Sequence, residues 1–187
     1  MIEIAKYLPR LLQHDVICSL EGKSLIINDR RALPFEEKGV VVSNYQEASQ
    51  AIKDMVTQGG GPLEVALQTF RLVARIKDVT YSDFSQAYVS LSNARSTNTT
   101  MARTLKELLD KIELAFQTDT FTDEVVDGLV KDEFDKFDEA YLKIGTQLEE
   151  LINDGDGILT TCFAEHSFFI ALALAKEHHK AFKLYIP

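Results

Sequence analysis

Several common features are scarce or missing in this sequence. It has no tryptophan, four prolines and only two cysteines, Cys18 and Cys162, which are too far apart to suggest a disulfide framework or a metal cluster. The longest apolar run, Phe168 to Ala175, is too short to span a bilayer, and the start of the chain lacks the basic and then apolar layout of a signal peptide. These absences predict a cytoplasmic protein without a metal site.

Basic residues are also in deficit. The chain has 20 Lys and Arg against 29 Asp and Glu, a formal net charge of −9. Nucleic acids and anionic membranes bind concentrated positive charge, so we predict neither as a partner. This shortage of basic residues does not exclude a small anion as a ligand, because a few backbone N–H groups and one arginine suffice to bind it. No nucleotide-binding glycine motif occurs, and we predict no cofactor.

The apolar content, in contrast, is ample for a core and falls into three parts. The hydrophobic fraction is 45% over 187 residues, which suits one domain or a domain with a smaller partner. We predict a small β-element with a leading helix over residues 1–43, a helical domain over 44–153, and an incomplete Rossmann-like βαβ unit over 154–187. The predicted fold class is mostly α with an α/β end.

The first part is predicted to form a hairpin followed by a third strand. Val16 to Ser19 and Ser24 to Ile27 are β-rich runs, and Gly22 lies in the turn between them. After a polar loop, Val40 to Val42 forms the third run. Apolar spacing from Ile2 to Gln13 favours a leading helix that its proline must kink or shorten.

The middle part shows the apolar spacing of several amphipathic helices. Asn44 and Glu47 form a capping-box pattern at the start of the first, and Pro62 suits the first position of the second. Ser82 is predicted to cap the third, and a fourth begins near Met101. We therefore predict a helical bundle connected by short polar turns.

The longest helix is predicted between Asp123 and Asn153. Its apolar positions alternate steps of four and three residues, which is the spacing of a heptad seam. These positions are Val130, Phe134, Phe137, Tyr141, Ile144, Leu148 and Leu151. Two interpretations stay open, because such a stripe either faces the core of the bundle or packs against a partner subunit.

The last part is predicted to be a parallel βαβ unit. Gly155 lies near the C-cap of the long helix, and a strand from Ile158 to Phe163, a helix from Ser167 to His178 and a strand from Phe182 to Ile186 follow. Open α/β folds bind their ligands at the carboxyl ends of such strands. Cys162 stands at such a strand end.

Two helix starts carry donors that suit an anion. The turn Gly59 to Pro62 lets backbone N–H groups approach a ligand at the positive end of a helix, although it is also consistent with a flexible link. In the segment Ala94 to Thr100, Arg95 can grip a phosphate as a fork donor, and Thr97 offers a hydroxyl. The alternative there is a helix cap with a solvated arginine.

A third candidate is Cys162 and the residues around it. A thiol at a strand end before a helix has a lowered pKa, so it could act as an acid/base group or a nucleophile. A buried, inert cysteine is the alternative. Glu165 and His166 follow, and they could relay protons or cap the next helix. Thr160 could bind a ligand or simply suit a strand.

The order of these pieces resembles a known family. L-E-G-K-S-L-I-I-N-D-R-R-A-L-P, N-Y-Q-E-A-S-Q-A-I-K-D-M-V-T-Q-G-G-G-P, A-R-S-T-N and I-L-T-T-C are similar to the N-terminal half of methylthioribose-1-phosphate isomerases. These are relatives of ribose-1,5-bisphosphate isomerase and of the regulatory subunits of eukaryotic translation initiation factor 2B. The resemblance implies a β-element, a helical domain and a Rossmann-like domain, usually in a dimer. It also implies conversion of an aldose 1-phosphate to a ketose 1-phosphate in methionine salvage.

The resemblance assigns roles to individual residues. Gly60 and Gly61 match the family's first phosphate-binding turn, which has the pattern Arg-Gly-Ala-Pro. Arg95 and Thr97 match its Ala-Arg-Pro-Thr, in which the arginine binds phosphate. Cys162 matches the catalytic cysteine of its Thr-x-Cys-Asn.

The sequence also departs from the family's pattern. Gly59 takes the place of the arginine in the first turn, Phe163 that of the asparagine after the cysteine, and Glu165 that of an expected glycine. The family's catalytic aspartate lies in the remainder of the Rossmann-like domain. The resemblance therefore implies that this chain by itself is not an efficient isomerase.

Three hypotheses for the function follow. The first is a degenerate isomerase-like protein that still binds a phosphorylated sugar. The second is a non-catalytic protein-interaction or regulatory module, which we expect to be a homodimer that buries the terminal βαβ unit or the heptad seam. The third is one half of a split isomerase whose other half is encoded separately.

Overall fold

A computed structural model of the protein describes residues 4–161 and 165–186. The helices are α1 (His14–Ile17), α2 (Tyr45–Lys53), α3 (Gly61–Ala74), α4 (Tyr81–Ala94), α5 (Thr99–Gln117), α6 (Asp123–Glu150) and α7 (His166–Glu177). The strands are β1 (Cys18–Glu21), β2 (Ser24–Asn28), β3 (Gly39–Val42), β4 (Asp156–Leu159) and β5 (Phe182–Tyr185). This confirms a mostly α fold with an α/β end. None of the described helices is both long and apolar enough to cross a membrane.

The leading helix was predicted wrongly. Two short 3₁₀ turns, Ala5–Tyr7 and Arg10–Leu12, take its place. Pro9 separates them, because proline lacks the N–H that an α-helix needs and forces the preceding residue into an extended conformation. Leu8 accordingly has φ −100° and ψ 139°.

The first three strands form an antiparallel sheet in the order β1–β2–β3. The turn between β1 and β2 is made by Gly22 at φ 60°, as its position in the sequence predicts. Leu25 and Ile27 of β2 and Val42 of β3 are buried, so one face of the sheet joins the core. β1 starts at Cys18 because the first residues of the predicted strand belong to α1.

The capping predictions were right at α2 and wrong at α4. At α2, the Glu47 N–H donates to Asn44 Oδ1 at 2.9 Å. At α4 the cap is Thr80, whose N–H and hydroxyl both donate to Asp83 Oδ2, at 2.8 and 2.7 Å. Ser82 instead lies inside the helix and accepts a hydrogen bond from Gln86.

The chain divides into two compact units. The helical unit comprises residues 14–133, and the terminal unit comprises residues 4–13 and the described residues from 134 to 186. The helical unit has an aromatic cluster in which the partly buried Phe116 stacks on Phe121 at 4.1 Å between ring centroids, and the buried Phe84 lies 5.7 Å from Phe70. The three-part division predicted at residues 43 and 153 stays a prediction.

The terminal unit contains the predicted parallel βαβ arrangement, but the first strand, β4, ends at Leu159, so it stops short of Cys162 and of the predicted end at Phe163. β4 and β5 pair in parallel, with Ile158 opposite Leu184. Helix α7 covers one face of this sheet: Ile158 and Phe182 pack against its buried residues, which include Ala171 and Ala175. Gly155 has φ 86° just before β4, a conformation that favours glycine.

The predicted heptad stripe on α6 is divided between core and surface. Val130 is buried, and Tyr141 and Leu148 are partly buried in the clusters of the terminal unit. Ile144 and Leu151, by contrast, are 53% and 73% exposed. The core-facing interpretation therefore accounts for only part of the stripe.

Candidate functional site

The turn before α3 is closely packed. Gly59 has φ 62°, and the Gly61 N–H donates to the Gln58 carbonyl at 3.1 Å. A Cβ atom on Gly61 would lie 1.8 Å from Thr57 Oγ1, so a larger residue would fit here only if the Thr57 side chain moved. Close packing of this kind argues against the alternative of a flexible link. It places backbone N–H groups at the positive end of α3, with Pro62 in the first helical turn.

The segment Asp29 to Arg31 holds this turn in place. The Arg30 N–H donates to the Val56 carbonyl at 2.9 Å, and Arg30 Nη1 donates to the Gln58 carbonyl at 3.1 Å. Arg31 forms a fork with the buried Asp29 carboxylate, with both N–O distances at 2.8 Å. The hydrogen bonds from Arg31 hold the pKa of the Asp29 carboxyl below its usual range.

A buried acidic group lies in the first turn of α3. His14 Nδ1 is 2.9 Å from Glu64 Oε2, and the Glu64 side chain is 7% exposed. Burial, and secondarily the charge of Glu64, raise the pKa of the Cys18 thiol, so Cys18 is unreactive near neutral pH. The Glu64 carboxylate would repel an anion bound at the start of α3, and a protonated His14 would offset that repulsion.

Arg95 lies at the C-terminal end of α4 with an incompletely paired guanidinium. Its Nη1 is buried and has no hydrogen-bond partner among the described residues. The segment is partly the helix cap of the alternative interpretation, because Asn98 Oδ1 accepts a bond from the Met101 N–H at 3.0 Å. The arginine is not simply solvated, however. Thr97 is exposed in the turn between α4 and α5.

Two further hydroxyl groups in the helical unit were missed by sequence reasoning. Thr57 Oγ1 and Ser92 Oγ are buried, and neither has a hydrogen-bond partner in the described part of the chain. Thr57 lies two residues before the glycine turn, and Ser92 lies in the last turn of α4, three residues before the C-cap residue Arg95. Buried polar groups normally have a hydrogen-bond partner, so these hydroxyls mark places where a ligand or a water molecule would supply one.

The predicted catalytic Cys162 and its neighbour Phe163 lie outside the described residues. On either side, Thr160 Oγ1 is buried without a hydrogen-bond partner among described residues, and Glu165 is the N-cap residue of α7. His166 is buried and stacks on Tyr141 with ring centroids 4.5 Å apart. Thr160 therefore directly follows β4, and Glu165 and His166 stand at the start of α7.

The predicted site residues fall into both units. Gly60, Gly61, Arg95 and Thr97 belong to the helical unit, whereas Thr160 belongs to the terminal unit. Within the described ranges, no group of three or more His, Cys, Asp or Glu side chains is arranged to hold a metal ion. The donors of the helical unit are backbone N–H groups, hydroxyls and a guanidinium, a set that suits a phosphate.

No protein-family model matches the chain. The chain is 35% identical to the methylthioribose-1-phosphate isomerase of Petrotoga mobilis over 153 residues, covering 76% of this chain and 44% of that protein. It is 31% identical to methylthioribose-1-phosphate isomerase 1 of Pseudothermotoga lettingae over 183 residues, covering 88% and 51%. The chain thus spans about half the length of the curated relatives it matches.

Solved structures show the same fold. The crystal structure of 5-methylthioribose 1-phosphate isomerase from Pyrococcus horikoshii aligns with a TM-score of 0.73 at 19% identity, covering 99% of this chain and 64% of that one. The delta subunit of translation initiation factor eIF-2B from A. fulgidus aligns with a TM-score of 0.68 at 21% identity, covering 89% and 53%. Both confirm the fold class predicted from the sequence.

Proposed function

Because the chain belongs to the methylthioribose-1-phosphate isomerase family, we propose that it binds a phosphorylated sugar in the helical unit. The observation that carries this proposal is the buried Nη1 of Arg95, which has no partner among the described residues. A guanidinium N–H left unpaired in the protein is costly, and a phosphate oxygen would satisfy it through a charge-assisted bond. The names of the relatives suggest methylthioribose 1-phosphate as the ligand to test.

The remaining contacts of the proposed site are neutral donors. The turn at Gly60 and Gly61 lies at the start of α3, where the positive end of the helix dipole favours an anion, although the Gly61 N–H itself donates to the Gln58 carbonyl. Thr97 contributes an exposed hydroxyl, and Thr57 contributes the buried hydroxyl beside Gly61. Since Gly59 stands where the family's turn has an arginine, Arg95 would supply most of the positive charge.

We further propose that this chain by itself binds the sugar without isomerising it efficiently. Cys162 would be the acid/base residue, by its match to the family's cysteine. Phe163 and Glu165 stand where the family has asparagine and glycine, and the family's aspartate has no counterpart in these 187 residues. A missing acid/base group typically lowers a rate by about 10²- to 10⁴-fold. If the partner half of a split isomerase supplies that aspartate, adding it would restore turnover.

Isothermal titration with methylthioribose 1-phosphate tests the binding proposal. Arg95→Ala removes a charge-assisted contact worth about 1.5–3 kcal/mol, so we expect affinity to fall about ten- to a hundredfold. Arg103→Ala is the matched control, because Arg103 is an exposed arginine of neighbouring α5. Its affinity should stay within about twofold of the unsubstituted protein, since exposed charges are largely screened.

Two results would contradict this proposal. The first is the absence of any binding heat with the unsubstituted protein at millimolar ligand. The second is an equal loss of affinity in Arg95→Ala and Arg103→Ala, which would indicate general charge attraction instead of a site.

A second candidate function, a homodimeric interaction module, is favoured by the open face of the terminal sheet. Parallel sheets are normally covered on both faces. On the face opposite α7, Leu159 is 70% exposed and Tyr185 is 53% exposed. We propose that a second copy of the chain covers this face.

Sedimentation equilibrium at micromolar concentration tests the dimer. Leu159→Lys should shift the protein toward monomer, because a charge would be buried at the contact. Leu114→Lys is the control, since Leu114 is 59% exposed on α5 in the other unit. A monomer in the unsubstituted protein, or equal effects of the two changes, would refute the proposed contact.

A further inference from the structure

A pocket of about 270 Å³ lies in the helical unit outside the proposed sugar-phosphate site. It is formed by the β1–β2 turn, the start of α2, and the end of α3 with the turn that follows. All three segments belong to one compact unit. The pocket is only slightly smaller than the roughly 300–1,000 Å³ range of small-molecule sites.

The charge of the pocket is opposite to that of the protein. Lys23 and Lys77 line it, both are exposed, and neither forms an ion pair with any residue the structure describes. The residues that line the pocket include no aspartate or glutamate, although the nearby Glu47 carboxylate accepts a hydrogen bond from the N–H of Ser43, a lining residue, at 2.7 Å. Arg75 also lines it, but its guanidinium binds Asp127 at 2.8 Å, so it contributes mainly its aliphatic stem.

The wall between these cations is apolar. Leu72 and Val73, from the end of α3, are buried behind it. Ile76 lines the pocket as well and is 45% exposed, an unusual degree of exposure for a large aliphatic side chain. The combination of a charged rim and an apolar wall suits a ligand that has both kinds of surface.

The start of α2 adds backbone donors to the same pocket. Asn44 caps the helix by accepting from the Glu47 N–H, which leaves Tyr45 and Gln46 as the first two helical residues. The N–H groups of these positions have no partner within the helix. Tyr45 and Gln46 both line the pocket. The helix end alone would not define a site, but here it adds to two lysines and an apolar wall in the same partly open pocket.

We propose that this pocket binds a small organic anion with an apolar body. Its acidic group would lie between Lys23 and Lys77 near the first turn of α2, and its apolar body would rest on Leu72 and Ile76. The apolar wall distinguishes this ligand class from the hydroxyl-rich sugar phosphate proposed for the other site.

Phenyl phosphate is a suitable probe, because it joins a phosphate to an apolar ring. Titration of the ¹⁵N-labelled chain should shift the amide signals of residues 22–24, 43–46 and 72–77. Inorganic phosphate should bind at least severalfold more weakly, because it lacks the group that would bury the apolar wall. Ile76→Ser should weaken phenyl phosphate binding severalfold and leave inorganic phosphate unchanged.

A pair of double variants separates the pocket from general charge attraction. Lys23→Gln with Lys77→Gln should weaken phenyl phosphate binding about five- to thirtyfold. Lys53→Gln with Lys176→Gln removes the same charge from exposed lysines outside the pocket and should change affinity less than twofold. Circular dichroism verifies that both double variants remain folded.

Three results would overturn the proposal: no binding of phenyl phosphate at millimolar concentration, equal effects of the two double variants, or shifts centred on residues 60–63 and Arg95. The last result would assign the probe to the sugar-phosphate site. Conversely, pocket shifts that persist in Arg95→Ala would support the pocket even if the sugar-phosphate proposal fails.

Discussion

Gly145 in α6 allows close contact with α7. A Cβ atom at this position would lie 2.6 and 2.8 Å from Cγ2 and Cβ of Ile170, and 2.9 Å from the Ser167 carbonyl oxygen. Another rotamer of Ile170 would move its Cγ2, but its Cβ is fixed by the backbone of α7. The Ser167 oxygen belongs to the first turn of α7 and cannot move unless the helix moves. Gly145→Ala should therefore push α7 away from α6.

Two opposing effects set the size of the change. Replacing glycine by alanine within a helix stabilises a protein by about 0.5–1 kcal/mol, because alanine loses less backbone entropy on folding. Overpacking a tight contact costs about 1–3 kcal/mol. The clash with a backbone atom favours the upper part of that range, so we expect a net loss of about 1–2 kcal/mol for Gly145→Ala.

Gly128 in the same helix is the matched control. A Cβ atom at Gly128 would have no heavy atom within 4 Å, so Gly128→Ala gains the helix propensity without a clash. It should stabilise the protein by about 0.5–1 kcal/mol. The two variants make the same chemical change in one helix, yet their effects on stability should have opposite signs.

Urea denaturation followed by circular dichroism measures both effects, and the absence of tryptophan makes this signal preferable to fluorescence. Hydrogen exchange of the α7 amides gives a local reading, and it should accelerate in Gly145→Ala only. The reasoning is refuted if Gly145→Ala is as stable as Gly128→Ala, because α7 would then not approach α6 this closely.

Two further predictions concern buried polar groups. Thr57→Val removes an unpaired hydroxyl, so we expect it to raise the free energy of unfolding by about 1 kcal/mol and to weaken sugar-phosphate binding severalfold. Thr69→Val deletes a hydroxyl that donates to the Val65 carbonyl at 2.6 Å, so it should instead lower the free energy of unfolding. If urea denaturation shows that both variants change this free energy in the same direction, the Thr57 hydroxyl is not unpaired. Hydrogen bonds from Lys180 and then His178 lower the pKa of Glu149, so its stabilising effect is present above the unfolded value near 4.5 and disappears as pH falls through the lower folded value. Thermal melts of Glu149→Gln should therefore show a loss of stability at pH 7 that shrinks toward pH 3, and a constant loss would exclude this linkage.

Local signals in the sequence were enough to predict most of the elements. Asn44 with Glu47 identified a helix start, and Gly22 identified a hairpin turn, because their conformations are determined by neighbours in the chain. The prediction that Ser82 caps α4 was wrong for a local reason as well. Thr80 followed by Asp83 also satisfies the capping pattern, and the choice between two hydroxyls depended on which one the carboxylate reaches.

The electrostatics of the candidate site could not be predicted in the same way. Glu64 has the sequence context of an exposed helical residue, yet it is buried against His14, fifty positions earlier. The hydroxyls of Thr57 and Ser92 are equally ordinary in sequence. Their lack of partners emerges only when every neighbouring group is placed, because hydrogen-bond satisfaction is a property of the packed structure.

The stripe on α6 shows how far a periodic pattern can be interpreted. Ile144 and Leu151 are seven residues apart and both exposed, whereas Tyr141 and Leu148, also seven apart, are partly buried in the clusters of the terminal unit. The apolar positions of a heptad repeat form two adjacent rows along the helix, and in this unit only the row of Tyr141 and Leu148 packs into the core clusters. The exposed row, Ile144 and Leu151, lies in the same unit as Leu159. If the proposed second copy of the chain binds, we expect it to contact this row or the open face of the terminal sheet.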